Sequence, residues 1–230
     1  MNIQRYNGFA MSHKAMRAML FSTALNLQHA DFSEKTQMEV ILNSLQSILN
    51  SFDEHADLED DYILPLAKKY NPELLQAFEN EHIKDRRLTS DLNTAISYYR
   101  SSINNSERAL NGSRIFYALM SFISFNLDHM NREEIEFNSV IWKHYSDEEL
   151  ESVHNKIATT RTPEQKQISG YWMLSSCNIH ELSEWLMGIK KTAPHAAYSA
   201  LLINAQKILT PERWELLERE IEKKSFVQFV

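Results

Sequence analysis

The sequence is poor in residues that make tight turns and covalent cross-links. Only 4 glycines, 5 prolines and 1 cysteine occur among its 230 residues, which disfavours a fold of many short strands and turns. The lone Cys177 cannot form an intrachain disulfide, and zinc sites that need three or four cysteines are excluded. This cysteine usage suits a reducing compartment, so we expect a cytoplasmic protein.

Excess positive charge and long apolar runs are also missing. The formal net charge is −7 at pH 7, which disfavours a general nucleic-acid-binding role because phosphate backbones attract basic surfaces. No apolar stretch approaches the ~20 residues that a membrane-spanning helix needs, and the N-terminal residues lack the pattern of a secretory signal. We therefore expect a protein that binds neither nucleic acid nor a membrane.

Four long segments repeat apolar residues at the three- and four-residue spacing of an amphipathic helix. Their predicted helices cover residues 9–29, 34–69, 73–103 and 107–144. Ser33 is the predicted N-cap of the second helix, Asn71 followed by Pro72 opens the third, and Pro65 is expected to kink the second. Short connections make neighbouring helices antiparallel, which predicts an all-α, up-down-up-down four-helix bundle.

The character of the chain changes after residue 145. Shorter helices are predicted to begin at Ser146, Thr162 and Thr210, where capping residues precede acidic or amide side chains. We therefore predict two parts, a bundle over residues 1–145 and a C-terminal helical extension over residues 146–230. The extension is expected to pack on the bundle or to contact a partner, either a second copy in a homodimer or another protein.

Each of the four long segments places a histidine inside its apolar stripe, and two of them add a glutamate four residues later. These six ionisable residues are His13, His55, Glu59, His82, His129 and Glu133. Counting residues from the turns, at ~1.5 Å of rise per residue, brings all six to one level within about a helical turn. Burying such groups unpaired costs on the order of several kcal/mol each, so a shared metal centre is the most economical interpretation.

The His-x3-Glu spacing occurs four times, and position separates the copies. His144 and Glu148 straddle the cap at Ser146, while His180 and Glu184 lie opposite the apolar stripe of their helix and should face solvent. Only the other two pairs lie inside apolar stripes. Taken singly, each such residue is more simply a hydrogen-bonded core histidine or a surface ion pair. The six together favour a metal.

The chain also contains an internal sequence repeat. His-x3-Arg followed by His-x3-Glu occurs twice at nearly equal spacing, first from His13 and again from His82, as a duplicated helix pair would produce. Around the ligands, Asp85, Arg17 and Arg86 are candidates to orient them, with ordinary ion pairing as the alternative. Four acidic residues near the second motif are expected to be solvated charges: Glu54, Asp57, Asp60 and Asp61.

These motifs resemble the hemerythrin-like, or HHE cation-binding, family over about residues 9–145. The C-terminal helices also look like those that follow the bundle in some members. The residues that carry the resemblance are His13-Lys-Ala-Met-Arg, His55-Ala-Asp-Leu-Glu59-Asp with Leu64-Pro65-Leu66, Glu81-His82, and His129-Met-Asn-Arg-Glu133-Glu134.

The resemblance implies a non-haem centre of two iron ions, with two histidines on each ion, Glu59 and Glu133 bridging, and an oxo or hydroxo bridge. The ligand types alone leave manganese and zinc open. Oxygen-carrying hemerythrins have a further histidine where this chain has Arg86, and an aspartate where it has Glu134. The resulting four-His, two-Glu set is similar to that of the repair-of-iron-centres proteins.

We therefore expect a di-iron protein that binds or reacts with O2, NO or peroxide, in oxidative or nitrosative stress response or in iron or redox sensing. Three classes stay open. The centre could turn over its ligand as an oxidase or reductase, or it could act as a sensing module that signals through the C-terminal helices. The third alternative is a metal-free helical interaction protein. The sequence does not decide whether the protein is an enzyme.

Overall fold

The computed structural model describes residues 5–227, and every regular element in that range is a helix. Four long helices come first: α1 (Ala10–Gln28), α2 (Lys35–Leu58), α3 (Pro72–Arg100) and α4 (Asn105–Arg132). Shorter ones follow: α5 (Asn138–Ile141), α6 (Asp147–Thr160), α7 (Pro163–Ser176), α8 (Ile179–Thr192), α9 (His195–Ile208) and α10 (Pro211–Val227). The predicted all-α class is confirmed, and the order of long helices is consistent with a bundle. Within residues 5–227, no helix combines the length and apolarity needed to cross a bilayer.

The described residues fall into two compact units. The first comprises residues 5–9 and 19–161, and the second comprises residues 10–18 and 162–227. Helix α6 belongs to the first unit, and the beginning of α1 belongs to the second. The division at residue 145 into a bundle and a C-terminal helical extension stays a prediction.

Side-chain caps fix where the third and fourth helices begin. Asn71 accepts a hydrogen bond from the Leu74 N–H at 3.1 Å, and Pro72 occupies the first turn of α3, as predicted. Asn104 accepts one from the Glu107 N–H at 2.9 Å and caps α4 in the same way. Each cap satisfies a backbone donor that the first helical turn leaves without a partner.

The prediction that Ser33 caps the second helix is wrong. The residue before α2 is Glu34, which makes no side-chain cap. Asp31 instead accepts hydrogen bonds from both the Ser33 N–H at 2.9 Å and the Ser33 hydroxyl at 2.7 Å. The Ser33 side chain is directed toward Asp31 in a local turn, and the residue directly before the helix is Glu34.

The second and fourth long helices both change geometry at a glutamate. After Leu58, α2 continues as a π-helical turn, Glu59–Ile63, and then as a 3₁₀ turn, Leu64–Ala67. After Arg132, α4 continues as a second π-helical turn, Glu133–Phe137. Pro65 lies in the 3₁₀ turn, but α geometry already ends before Glu59, so the irregularity starts earlier than predicted. Isolated π turns are frequent at functional sites.

The first unit has an apolar interior around these turns. The rings of Phe52 on α2 and Phe122 on α4 pack edge to face with centroids 5.1 Å apart. A second cluster surrounds the ends of both helices and contains Phe9, Ile63, Leu64, Ala67, Phe78, Phe137, Ile141 and Leu150. Any polar group between these clusters lies in a dry environment and needs a partner.

The second unit contains α7 to α10 and has a core of its own. Thr162 and Gln165 form the predicted capping box at the start of α7. His180 and Glu184 on α8 are exposed, which confirms that this copy of the His-x3-Glu spacing faces solvent. The buried core residues are Leu174, Cys177, Leu182, Leu186, Tyr198, Ala205, Leu209 and Leu217.

Candidate metal centre

Four of the predicted ligands meet in the first unit. One donor atom each from Glu59, His82, His129 and Glu133 lies within 4.8 Å of the others. The two π turns supply the glutamates, α3 supplies His82 and α4 supplies His129. All four residues are buried, with exposed fractions of 3%, 1%, 5% and 0% in the order Glu59, His82, His129 and Glu133.

Both histidines are oriented through Nδ1. The His82 Nδ1 lies 2.6 Å from Asp60 Oδ1, and the His129 Nδ1 lies 2.8 Å from Glu81 Oε2. Because an ionised carboxylate only accepts hydrogen bonds, each Nδ1 carries the hydrogen. In the neutral rings, each Nε2 therefore offers a lone pair.

The two Nε2 atoms face each other and the two glutamates. They lie 3.2 Å apart. The His82 Nε2 is 3.4 Å from Glu59 Oε2, and the His129 Nε2 is 3.3 Å from Glu133 Oε1. Four groups that all offer lone pairs repel one another in a dry interior unless a cation lies among them. Imidazole nitrogen with carboxylate oxygen is a donor set that iron, manganese and zinc accept, so these residues fit a metal.

Glu59 presents its two oxygens to histidines from two helices. Its Oε1 lies 2.9 Å from the Nε2 of His55 on α2, and its Oε2 lies 3.4 Å from the Nε2 of His82 on α3. The His55 side chain is only partly buried. Either oxygen of this carboxylate could therefore take part in holding a metal.

Without a metal, protons reduce the repulsion in this group. Burial lowers the pKa of His82, but hydrogen bonds with Asp60 and Glu59 outweigh it and raise the pKa to about 9. Burial, and then the charge of Glu59, raise the pKa of Glu133 well above its usual range. A metal that enters must displace such protons, so its binding depends on pH.

A family model described as hemerythrin HHE cation binding domain matches residues 6–140, more than half of the chain. The chain belongs to this family. It is 25% identical to F-box/LRR-repeat protein 5 of Xenopus tropicalis over 65% of its own length and 22% of the relative's. It is 22% identical to the protein of the same name from Salmo salar, over 81% and 26% of the two lengths. The chain thus spans about a quarter of these curated relatives. No solved structure matches it.

His13, which comes first in the chain among the six predicted ligands, is fully buried on α1. It belongs to residues 10–18, which form part of the second unit. The assignment of His13 and the other five residues as metal ligands stays a prediction.

The residues that orient the histidines differ from those predicted. Asp60 was expected to be a solvated charge, which is wrong, because its carboxylate holds the Nδ1 of His82. Glu81 was not predicted to hold His129. Both carboxylates lie directly beside a predicted ligand in sequence, and this adjacency is the signal that could have identified them. Asp57 and Asp61 are exposed, as predicted.

The three residues that were predicted to orient the ligands are Asp85, Arg86 and Arg17. Asp85 is buried and accepts a hydrogen bond from Asn126 at 2.6 Å, and burial raises the pKa of its carboxyl group. Arg86 donates to Asp60 at 2.8 Å and so reaches His82 only through that carboxylate. Arg17 lies in the part of α1 that belongs to the second unit, and its role stays a prediction.

Proposed function

We propose that this HHE-family chain is a non-haem di-iron protein that binds or reacts with O2, NO or peroxide. The proposed ligands are His13, His55, Glu59, His82, His129 and Glu133. One observation carries the proposal: two buried Nε2 atoms lie 3.2 Å apart and face two buried carboxylates. Bound iron would supply open coordination positions for a small ligand and one-electron redox chemistry.

The residues of the chain would hold and shield the centre. Glu59 is suited to bridge, since its two oxygens already lie toward His55 and His82. The ring of Phe125 stacks near His129 at a centroid distance of 5.9 Å, and Phe78 packs edge-on to His129 at 5.7 Å. These rings keep water from the imidazole, which strengthens its interaction with a cation.

The biological role we propose is in oxidative or nitrosative stress response, or in iron or redox sensing. The matching segment is about a quarter of much longer proteins named F-box/LRR-repeat protein 5. That arrangement supports a sensing or binding module more than a free-standing enzyme. A partner, or a second copy of the chain, would then respond to the metal state. Steady-state turnover of O2, NO or peroxide with a reductant would favour an oxidase or reductase instead.

Metal analysis after anaerobic purification tests the proposal. We expect two iron ions per chain and an optical spectrum that changes when O2 or NO is added. His55→Ala and Glu133→Ala should lose iron, because each removes a ligand. His180→Ala is the matched control, since it changes an exposed member of an unused His-x3-Glu pair. A wild-type chain that takes up no iron, manganese or zinc on reconstitution refutes the proposal.

A further inference from the structure

Two carboxylates beside predicted ligands reach across to a histidine on the next helix. Asp60 follows Glu59 on the π turn after α2, and it accepts from His82 on α3 at 2.6 Å. Glu81 precedes His82 on α3, and it accepts from His129 on α4 at 2.8 Å. Carboxylate–imidazole hydrogen bonds therefore join the second, third and fourth ligand-bearing segments in order.

An arginine holds the other oxygen of each carboxylate. Arg86 donates to Asp60 Oδ2 at 2.8 Å, while Asp60 Oδ1 accepts from the histidine. Arg132 donates to Glu81 Oε1, while Glu81 Oε2 accepts from the histidine. Each carboxylate is thus bound on both oxygens by donors from different directions, which restricts its rotation and favours its ionised form.

Burial makes the two contacts more than surface ion pairs. The side chains of Asp60 and Glu81 are 29% and 20% exposed, whereas those of the histidines they hold, His82 and His129, are 1% and 6% exposed. The two carboxylates therefore lie between solvent and the buried cluster of predicted metal ligands. There, water screens their charge less than it would on an open helix face.

We propose that Asp60 and Glu81 are positioning residues of the centre, which hold His82 and His129 in the Nδ1–H tautomer so that both Nε2 lone pairs point at one metal position. This inference rests on the proposed function, because it takes both histidines as ligands. A ring with its hydrogen on Nε2 has no lone pair to give there. Carboxylate partners of this kind also increase the basicity of a ligand imidazole.

Conservative variants with matched controls test the assignment. Asp60→Asn and Glu81→Gln keep the size of each side chain and remove its charge. Asp57→Asn and Glu136→Gln are the controls. They weaken contacts of the same arginines, since Arg86 donates to Asp57 at 2.8 Å and Arg132 donates to Glu136 at 3.0 Å and 3.1 Å. In the described contacts, neither residue hydrogen-bonds to a histidine. Zn²⁺ is the probe, with its affinity measured by competition with a chelator. We expect about a 10–100-fold loss of affinity in each test variant and no loss in the controls.

Imidazole ¹⁵N NMR of the zinc-loaded chain separates positioning from a general structural effect. The Nδ1–H signal of His82 should change in Asp60→Asn, and that of His129 should change in Glu81→Gln. Each change should be confined to the histidine that the altered carboxylate holds. Circular dichroism shows that each variant is folded. Should one variant unfold, the other tests the same relation at an independent histidine.

The outcomes distinguish this inference from the proposed function. A folded test variant that binds zinc as tightly as wild type, with unchanged imidazole signals, overturns the positioning role of that residue. A wild-type chain that binds neither zinc nor iron overturns the proposed function instead. In that case, ¹⁵N spectra of the metal-free chain still decide the positioning. Nδ1–H on both His82 and His129 supports it, and a ring that carries its only hydrogen on Nε2 overturns it for that histidine.

Discussion

Replacing Glu133 by glutamine should change stability in opposite directions with and without metal. Glu133 is fully buried, and burial followed by the charge of Glu59 raises its pKa well above the usual range. Glu133→Gln keeps the shape, removes the ionisable group and adds an amide N–H close to the His129 Nε2, which lies 3.3 Å from Oε1. In the metal-free chain we therefore expect a gain of about 1–3 kcal/mol, because each unit by which burial raises a carboxyl pKa costs ~1.4 kcal/mol near neutral pH and an amide has no such cost.

The sign should reverse once metal is added. Free metal at about a thousand times its dissociation constant stabilises the folded chain by ~4 kcal/mol. Wild type should gain that amount, whereas Glu133→Gln, in which a weakly metal-binding amide replaces a proposed carboxylate ligand, should gain little. For a chain of this size, each kcal/mol corresponds to about 2–4 °C in Tm. The variant should thus melt above wild type in chelator and below it in anaerobic Fe²⁺.

Thermal melts followed by circular dichroism measure both differences. The control is Glu184→Gln, because Glu184 is an exposed glutamate of an unused His-x3-Glu pair. Its effect should stay within about 0.5 kcal/mol in either condition. The reasoning is refuted if Glu133→Gln melts below wild type in chelator, or if iron stabilises the variant as much as it stabilises wild type.

Two further predictions concern helix packing and helix capping. An added Cβ at Gly112 would lie 2.4 Å from the Phe32 ring, whereas one at Gly188 would meet nothing within 4 Å. Overpacking costs about 1–3 kcal/mol, so Gly112→Ala should lower Tm. A helical Gly→Ala change without such a contact gains ~1 kcal/mol, so Gly188→Ala should raise Tm. Tm shifts of the same sign in the two variants would contradict this reasoning. Asn71→Ala should cost about 1 kcal/mol in urea denaturation, because the cap of α3 is lost, and an unchanged midpoint would argue against the cap.

The long helices were predictable because their determinants are local. Apolar stripes fix which face is buried, and Asn71 and Asn104 satisfy the first backbone donors of α3 and α4, so these helices begin within two residues of prediction. Ser33 failed for an equally local reason. Its hydroxyl donates to Asp31, two residues earlier, which directs the side chain into a local turn. Helix periodicity contains no information about that local hydrogen bond.

The residues of the site likewise include some that the sequence predicted and some that it did not. Counting along helices placed the histidines and glutamates at one level, and the structure brings donor atoms of Glu59, His82, His129 and Glu133 within 4.8 Å. The supporting carboxylate of Asp60 could not be found in this way. An ideal α-helix turns by about 100° per residue, which directs the residue after a buried Glu59 away from the core. That expectation fails where the helix stops being α-helical.

The two π turns argue that the centre, more than the local sequence, determines this geometry. Both begin at a glutamate four residues after a histidine, and their sequences, Glu59-Asp-Asp-Tyr-Ile and Glu133-Glu-Ile-Glu-Phe, otherwise share little beyond an acidic second and an apolar fifth residue. The His–Glu distance across each junction is short, 2.9 Å in the first and 3.3 Å in the second. A helix that only packed apolar residues would have no reason to lose its regular hydrogen bonds at the same place twice. The need to bring two carboxylates from two different helices into one buried cluster of metal ligands is such a reason. A duplicated helix pair would place a π turn of this kind in each half of the bundle.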